Sequence, residues 1–466
     1  MRAAFYFLYY ISYLGFRFCE SLVRLLPLGA AFSIGKCSGR ACYYLLWKRR
    51  GLALWNLRLA FGAELSGDEL RALNREHFEL LGANLLASFK ASSMTDDAIW
   101  DRVTANVPTE RLPAGWVALI SHIGNWELFS HLSGRFPEYR FGAIFQGLAN
   151  PFIDRYLRRT RAGSGNILFD RRTELLKCVR FLRDDGVLGV LIDQGAGYAG
   201  LWTPLFGRLT SSSTLAAMLA IRSGHPVVPI AINTAGHARW KMTISDAVYP
   251  PADGDTELFT AQINRLLEQQ IRVYPADWLW AHNRWKPLRP HILFARDQRR
   301  VFFPPDFDRS ALDLFRIVLV SPENAESAVA ALPAVRAIKA GRPDIWIAVL
   351  TPQSISGTWE NRPEVDAVIA WPSDASAFEI AAQIREYARF TAAIFFESHW
   401  RSALAVFIAG IPIRVGRRQG WVSTLFNQHP LPAALNATAT DAHLAVAHSI
   451  GANIPHAHVA PPSPAP

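Results

Sequence analysis

His122 and Glu127 are the side chains of this sequence best placed to do chemistry. They stand five positions apart in Val117-Ala-Leu-Ile-Ser-His122-Ile-Gly-Asn-Trp-Glu127-Leu-Phe. The apolar run at 117–121 reads as a buried strand, Gly124-Asn125 as a turn, and Trp126 onward as the start of a helix. Residues five apart on one helix lie ~140° apart, so the two cannot share a helical face. A His in the strand-to-helix turn can instead fold back on a Glu in the first helical turn. One imidazole nitrogen is then held by a carboxylate and the other is free, which describes a general base oriented by an acid. A helix N-terminus nearby favours the neutral, proton-accepting ring. The same pattern also describes a His that caps a helix and a Glu that fills its first turn.

The elements that would position this pair alternate. Residues 66–105 read as helical, with Ser66-Gly67-Asp68-Glu69 as a start signal. Beyond them, 117–121, 140–145, 187–193 and 227–233 are strand-like, and 152–161, 173–183, 213–223 and 257–273 are helix-like. The alternation predicts an α/β fold. Asp193 closes an apolar run at a strand end, where α/β proteins place their sites, though a helix cap or ion-pair partner fits the same spot. Arg161 lies in a basic run with Arg155, Arg158 and Arg159 and reads equally as a solvated charge or as a site residue. A boundary falls near Phe303-Pro304-Pro305, and the pattern restarts with strands at 315–320, 344–350 and 390–396 and a helix at 325–341. Residues 456–466 are Pro/Ala-rich and read as disordered.

Composition narrows the partners. The 466 residues suffice for two domains, and half of them are hydrophobic. Fifteen Trp and 28 Phe suit a protein that meets lipid. The net charge of +10 suits acidic partners; no nucleic-acid-reading motif accompanies it, so anionic lipid or an acidic protein fits better. Cys19, Cys37, Cys42 and Cys178 lack metal-ligand spacing and read as packing residues of a reducing compartment. No Gly-x-Ser-x-Gly elbow is present. His225, His282 and His399 are isolated and read as structural. No metal and no cofactor is expected. Near the N-terminus, the apolar runs 3–16 and 25–34 flank Arg17, Glu20 and Arg24. Each is shorter than a span, and the mixture suggests an interfacial anchor rather than a removable signal peptide or an ordinary core helix.

The stretch Ser121-His122-Ile123-Gly124-Asn125-Trp126-Glu127 resembles the signature of the bacterial lipid A biosynthesis acyltransferases of the lauroyl/myristoyl type. Five further blocks follow that family's order over residues 1–300. They are Arg49-Arg50 with Asn56-Leu57 and Ala60-Phe61; Asn150-Pro151-Phe152 with Arg161 and Asp170-Arg171; Ile192-Asp193-Gln194; Pro204-Leu205-Phe206-Gly207 with Pro226-Val227-Val228-Pro229; and Pro275-Ala276-Asp277-Trp278 through Lys286. The resemblance implies transfer of a fatty acyl chain from acyl carrier protein to a hydroxyl of a lipid A precursor, at the cytoplasmic face of the inner membrane. It implies His122 as base, Glu127 as its orienting acid, Arg161 as the electrophile for the developing oxyanion, and Asp193 in an unspecified supporting role.

The region beyond residue 312 resembles the first Rossmann half of heptosyltransferase-type glycosyltransferases. The matching stretches are Ile317-Val318-Leu319-Val320, Ala331-Leu332-Pro333, and Arg401-Ser402-Ala403-Leu404 with Gly410-Ile411. Glu326-Ser327 stand where that family has Gly-Asp, its base, and the donor-binding half is missing. The region is therefore expected to be non-catalytic, a glycolipid or partner-docking module. The expected organisation is a membrane-associating helical segment at 1–45, an acyltransferase-like α/β domain at 46–302, a linker at 303–312, a smaller Rossmann-like α/β domain at 313–450 and a tail at 451–466. The readings left beside lipid A acyl transfer are acyl transfer to another glycolipid or a phospholipid, a non-catalytic envelope-assembly scaffold and, least supported, glycosyl transfer.

Overall fold

The computed structural model describes residues 2–106, 112–162, 165–430 and 437–454. The chain divides into two compact units. One is residues 1–286 with 301–307, and the other is residues 287–300 with 308–466.

The first unit opens with helices α1 (Arg2–Arg24), α2 (Leu28–Leu45), α3 (Trp47–Phe61), α4 (Gly67–Ala91) and α5 (Asp96–Trp100). Ser66 caps α4 as its sequence promises. Its hydroxyl accepts from the Glu69 backbone N–H, and the Glu69 carboxylate reaches back to the Ser66 N–H. One face of α1 packs inward through Phe16, which meets Phe89 and Tyr156 edge-on, and through buried Glu20, which is bound by Arg24 and the Tyr156 hydroxyl. Away from these contacts the helix leaves Phe5, Phe7, Leu8 and Phe18 exposed. Among the described residues no helix is long and apolar enough to cross a membrane.

Next come β1 (Val103–Asn106), β2 (Trp116–Ile120), α6 (Leu132–Arg135), β3 (Phe141–Phe145), α7 (Pro151–Ala162), β4 (Ile167–Asp170), α8 (Leu175–Arg183) and β5 (Val187–Leu191). The hairpin β6 (Leu201–Leu205) and β7 (Arg208–Ser212) follows, then α9 (Leu215–Ser223), β8 (Val227–Gly236), β9 (Arg239–Ile244) and α10 (Thr256–Val273). Seven strands form one sheet in the order β1-β9-β8-β2-β5-β3-β4. β2 pairs parallel with both β5 and β8; β9 runs antiparallel to β8 because a two-residue turn joins them. Alternation along the strands splits the core. Val117, Leu119, Leu188 and Val190 pack with Leu57, Leu219, Phe259 and Leu267 on one face, while Trp116, Ala118 and Val187 face Leu128, Leu132 and Phe141 on the other.

Two sequence expectations are corrected in this unit. The helical reading of 66–105 runs too far, because Val103–Asn106 is strand β1, held by parallel pairing with the distant β9. The element opening at Trp126 is a 3₁₀ helix, Trp126–His131, and α-helix resumes only at α6.

The second unit holds β10 (Phe315–Val320), α11 (Ala325–Ala330), α12 (Leu332–Lys339), β11 (Ile345–Pro352), β12 (Ala367–Trp371), α13 (Ala377–Tyr387), β13 (Ala392–Phe395), α14 (Trp400–Ile408), β14 (Ile413–Val415) and α15 (Ala439–Ser449). Its five strands are all parallel in the order β12-β11-β10-β13-β14, a Rossmann-like arrangement. The single helix expected over 325–341 is two. It breaks at Ala331 because Pro333, lacking an N–H, fits only the first turn of a new helix. Segment 287–300 packs here, with Ile292 and Leu293 in the core and the Leu293 N–H bonded to the Ile450 carbonyl. The expected disordered tail, 456–466, lies outside the described residues.

Candidate active site

The parallel register of β2 and β5 builds the site. Ile120 pairs with Leu191, so two residues beyond the strand ends His122 stands beside Asp193. Their bond is 2.8 Å, from His122 Nδ1 to Asp193 Oδ1. Oδ2 of Asp193 accepts the His122 backbone N–H at 2.8 Å and the Trp278 indole N–H at 2.9 Å. Asp193 is buried, at 3% exposure. Fully buried Arg284, held by Thr210, the Ser211 carbonyl and Ser212, places positive charge on the same side of the site. The loop that carries His122 is pinned. Gly124 adopts φ +55°, and a β-carbon there would stand 2.1 Å from the Ile232 carbonyl oxygen. Its N–H bonds to the Asp277 carbonyl, and the Asp277 carboxylate takes the backbone N–H and hydroxyl of Thr234.

This geometry sets the proton inventory. With a buried carboxylate at Nδ1, the neutral ring carries its proton there, and Nε2 keeps the lone pair. Burial disfavours the imidazolium, but the charge and hydrogen bond of Asp193 outweigh it and raise the His122 pKa, with Glu127 adding to the rise. Burial likewise opposes the Asp193 carboxylate, and its bonds to His122 and Trp278 hold its pKa below the ordinary value. His122 Nε2 belongs to a side chain that lines a cavity of about 260 Å³. Apart from Glu127, Arg161, Ser130 and Asn166, the cavity is walled by Trp126, Phe129, Leu132 and Leu168 and by apolar residues of β2, β3 and β5.

The four residues singled out in the sequence come together, with roles redistributed. Glu127 was expected to hold the imidazole. It pairs instead with Arg161, at 2.7 Å to Nη2 and 3.3 Å to Nε, and reaches His122 only through space. The reason is register: Asp193 already occupies Nδ1, and the 3₁₀ turn carries Glu127 toward the last turn of α7. Arg161 was expected as the electrophile for the developing oxyanion. Two N–H groups of its guanidinium donate to Glu127, and the pair stands at the border of the cavity beside Phe145. The same pair borders a second cavity of about 270 Å³, lined by Phe16, Ser88, Phe89, His131, Tyr156 and Thr160. Trp278, which donates to Asp193, and Arg284, whose charge acts on it through space, lie in the closing block of the sequence, whose pattern gave neither that part. His282 is close enough to Asp193 and His122 to feel their charges, and burial lowers its pKa. In the second unit, the Ser327 hydroxyl bonds to Glu397 and lies 3.2 Å from His443. Among the described residues no group of three or more His, Cys, Asp or Glu is placed to hold a metal ion.

The chain is 26% identical over 297 residues to the lipid A biosynthesis lauroyltransferase of Escherichia coli (strain K12), a match covering 62% of this chain and 95% of that one. Among solved structures, it resembles a glycosyl transferase family 9 protein from Veillonella parvula DSM 2008, at 16% identity and TM-score 0.28 over 30% of this chain and 42% of that one. It also resembles the ADP-heptose lipopolysaccharide heptosyltransferase II of E. coli, at 23% identity and TM-score 0.25 over 28% and 40%. The chain thus spans less than half the length of either structure. The family model for bacterial lipid A biosynthesis acyltransferases matches residues 3–287, more than half the chain and the whole of the region that holds His122, Asp193 and the cavity. The protein belongs to that family and is an acyltransferase.

Proposed function

We propose that the enzyme transfers a fatty acyl chain from acyl carrier protein to a hydroxyl of a lipid A precursor, with His122 as general base and Asp193, rather than Glu127, as the acid that orients it. The observation that carries this reading is the His122–Asp193 pair opening onto an apolar cavity. The acyl chain lies in that cavity with its thioester carbonyl at the mouth. His122 Nε2 takes the acceptor hydroxyl proton as the oxygen bonds to the carbonyl carbon. The C–S bond then breaks, and the departing thiolate takes the proton back from the imidazolium. Arg161 keeps one N–H edge, Nη1, turned from Glu127, and supplies positive charge to the oxyanion. The second cavity, with its serine, threonine and histidine lining, suits the polar acceptor.

The setting suits lipid and acidic partners. The helix α1 rests on the cytoplasmic surface of the inner membrane, as its exposed Phe side chains favour. Exposed Arg155 and Arg159 on α7 suit the acidic carrier protein. The second unit acts without catalysis, because its Ser327 hydroxyl is bound to Glu397 where a base would be needed.

The test is transfer from radiolabelled lauroyl- and myristoyl-acyl carrier protein to a lipid A precursor in membranes, wild type beside His122→Ala. The variant should lose ~10²- to 10⁴-fold in rate. Transfer by the variant at the wild-type rate would end the assignment of the base, and absence of transfer by folded wild type would end that of the acceptor.

A further inference from the structure

The side chains facing the cavity form rows across the sheet, because β2, β5 and β3 are parallel and in register. Ile120 and Leu191 make the row nearest His122. The next is Ala118, Gly189 and Ala143. The one after is Val187 and Phe141, which line the cavity, with Trp116 buried beside them in the same register. The middle row therefore carries only two β-carbons over three strands, directly above a row of bulky side chains. A β-carbon at Gly189 would point into this hollow, 2.8 Å from Ile120 Cδ1 and 3.8 Å from Ala143 Cβ. No backbone reason demands glycine here, since Gly189 is not among the positive-φ residues. Space explains it.

We propose that this hollow measures the acyl chain: Gly189, flanked by Ala118 and Ala143, admits the chain end, and Val187 with Phe141 stops it. The inference rests on the acyltransferase reading and adds which residues set the length of the chain transferred. A strand rises ~3.3 Å per residue, so the small row lies ~13 Å and the bulky row ~20 Å from His122 along β2. With C–C bonds of ~1.5 Å, an extended alkyl chain advances ~1.3 Å per carbon. The small row then meets the chain near its tenth carbon and the floor near its fifteenth, estimates that follow from the same strand rise. A saturated chain of about 12 to 14 carbons ends inside the hollow, past the small row and short of the floor. Shorter chains leave it empty, and longer ones strike Val187.

The experiment compares wild type, Gly189→Ala, Gly189→Leu and Val187→Ala on acyl carrier protein loaded with saturated chains of 8 to 16 carbons. Displacement of a fluorescent fatty acid by free fatty acids of the same lengths is measured in parallel. Gly189→Leu should move both optima to 8–10 carbons, with about four-fold loss for each methylene beyond ten. Gly189→Ala should shift them part of the way, and Val187→Ala should extend them toward 16. Optima that stay at the wild-type length in folded variants overturn the proposal. If Gly189→Leu does not fold, the Gly189→Ala and Val187→Ala profiles decide. If wild type binds fatty acids with a length optimum that the variants move, yet transfers none, the hollow stands as the measure of chain length and the transfer reading falls.

Discussion

Which acid holds an imidazole decides both its tautomer and its pKa, and at His122 that acid comes from the neighbouring strand. The imidazole must be neutral to accept a proton, so the acidic limb of the pH–rate profile follows its pKa. That pKa is raised, which puts the limb above the ordinary value of 6.5. Asp193→Asn removes the carboxylate charge; the limb should move to lower pH while the plateau falls by as much as ~10⁴-fold through the wrong tautomer. Profiles of kcat/KM from pH 5 to 9 check both. A limb that stays in place would show that Asp193 does not set the base. Glu127 acts differently. Because it binds Arg161 directly, Glu127→Ala, Arg161→Ala and the double variant should form a non-additive cycle, the double losing no more rate than the worse single. Additive losses would separate the two residues. The sequence made His122 and Glu127 conspicuous because they are close in the chain. The pairing that matters spans 71 positions and depends on β-register, which no local spacing encodes.

At the scale of elements, the loop between β2 and the 3₁₀ helix is held by Asp277, whose pKa burial pushes up to about 6. The folded state thus binds this proton more tightly than the unfolded chain, where the carboxyl titrates near 3.8. The stability involved is fully present below pH 3.8 and is lost as pH rises through about 6. The difference corresponds to about 3 kcal/mol. Urea midpoints between pH 4 and 7, wild type against Asp277→Asn, should show this slope in the wild type and its reduction in the variant. A slope unchanged by the substitution would place the proton elsewhere. Central elements were legible because their patterns are strong: the apolar runs of β2, β5 and β10, and the Ser66 cap of α4. The edge strand β1 was not. It draws its pairing from β9, more than 100 positions away, and Val103–Asn106 carries too little apolar signal to announce a strand. The hollow beside Gly189 was equally silent, since Val187-Leu-Gly-Val-Leu reads as a strand whatever its glycine faces.

For the whole molecule, the two units are interleaved in sequence. Residues 287–300 pack in the second unit, and 301–307 return to the first, where the Phe302 N–H bonds to the Trp202 carbonyl and Asp306 pairs with Arg265. A chain cut after Lys286 loses those contacts. A chain cut after Phe307 keeps them and uncovers Ile292, Leu293 and Phe294, which are buried in the intact protein. Both truncations should melt below the corresponding transition of the full chain, and the longer one should aggregate more readily on warming. Scanning calorimetry with light scattering checks this, and a truncated form as stable and soluble as the intact protein would refute it.

The interleaving also fixes an order of events on the ribosome. Chains emerge N-terminus first, and domains ordinarily close as units while synthesis continues. Here residues 287–300 leave the exit tunnel before residues 301–307, which the acyltransferase unit needs to finish, and long before Ile450 and Gly451, which Leu293 and Arg296 need as partners. Through the translation of that stretch Ile292, Leu293 and Phe294 have no finished core to enter. The nascent protein therefore carries an uncovered apolar segment beside its nearly complete catalytic half, and α15, made about 140 residues later, leads directly into the residues that cover it.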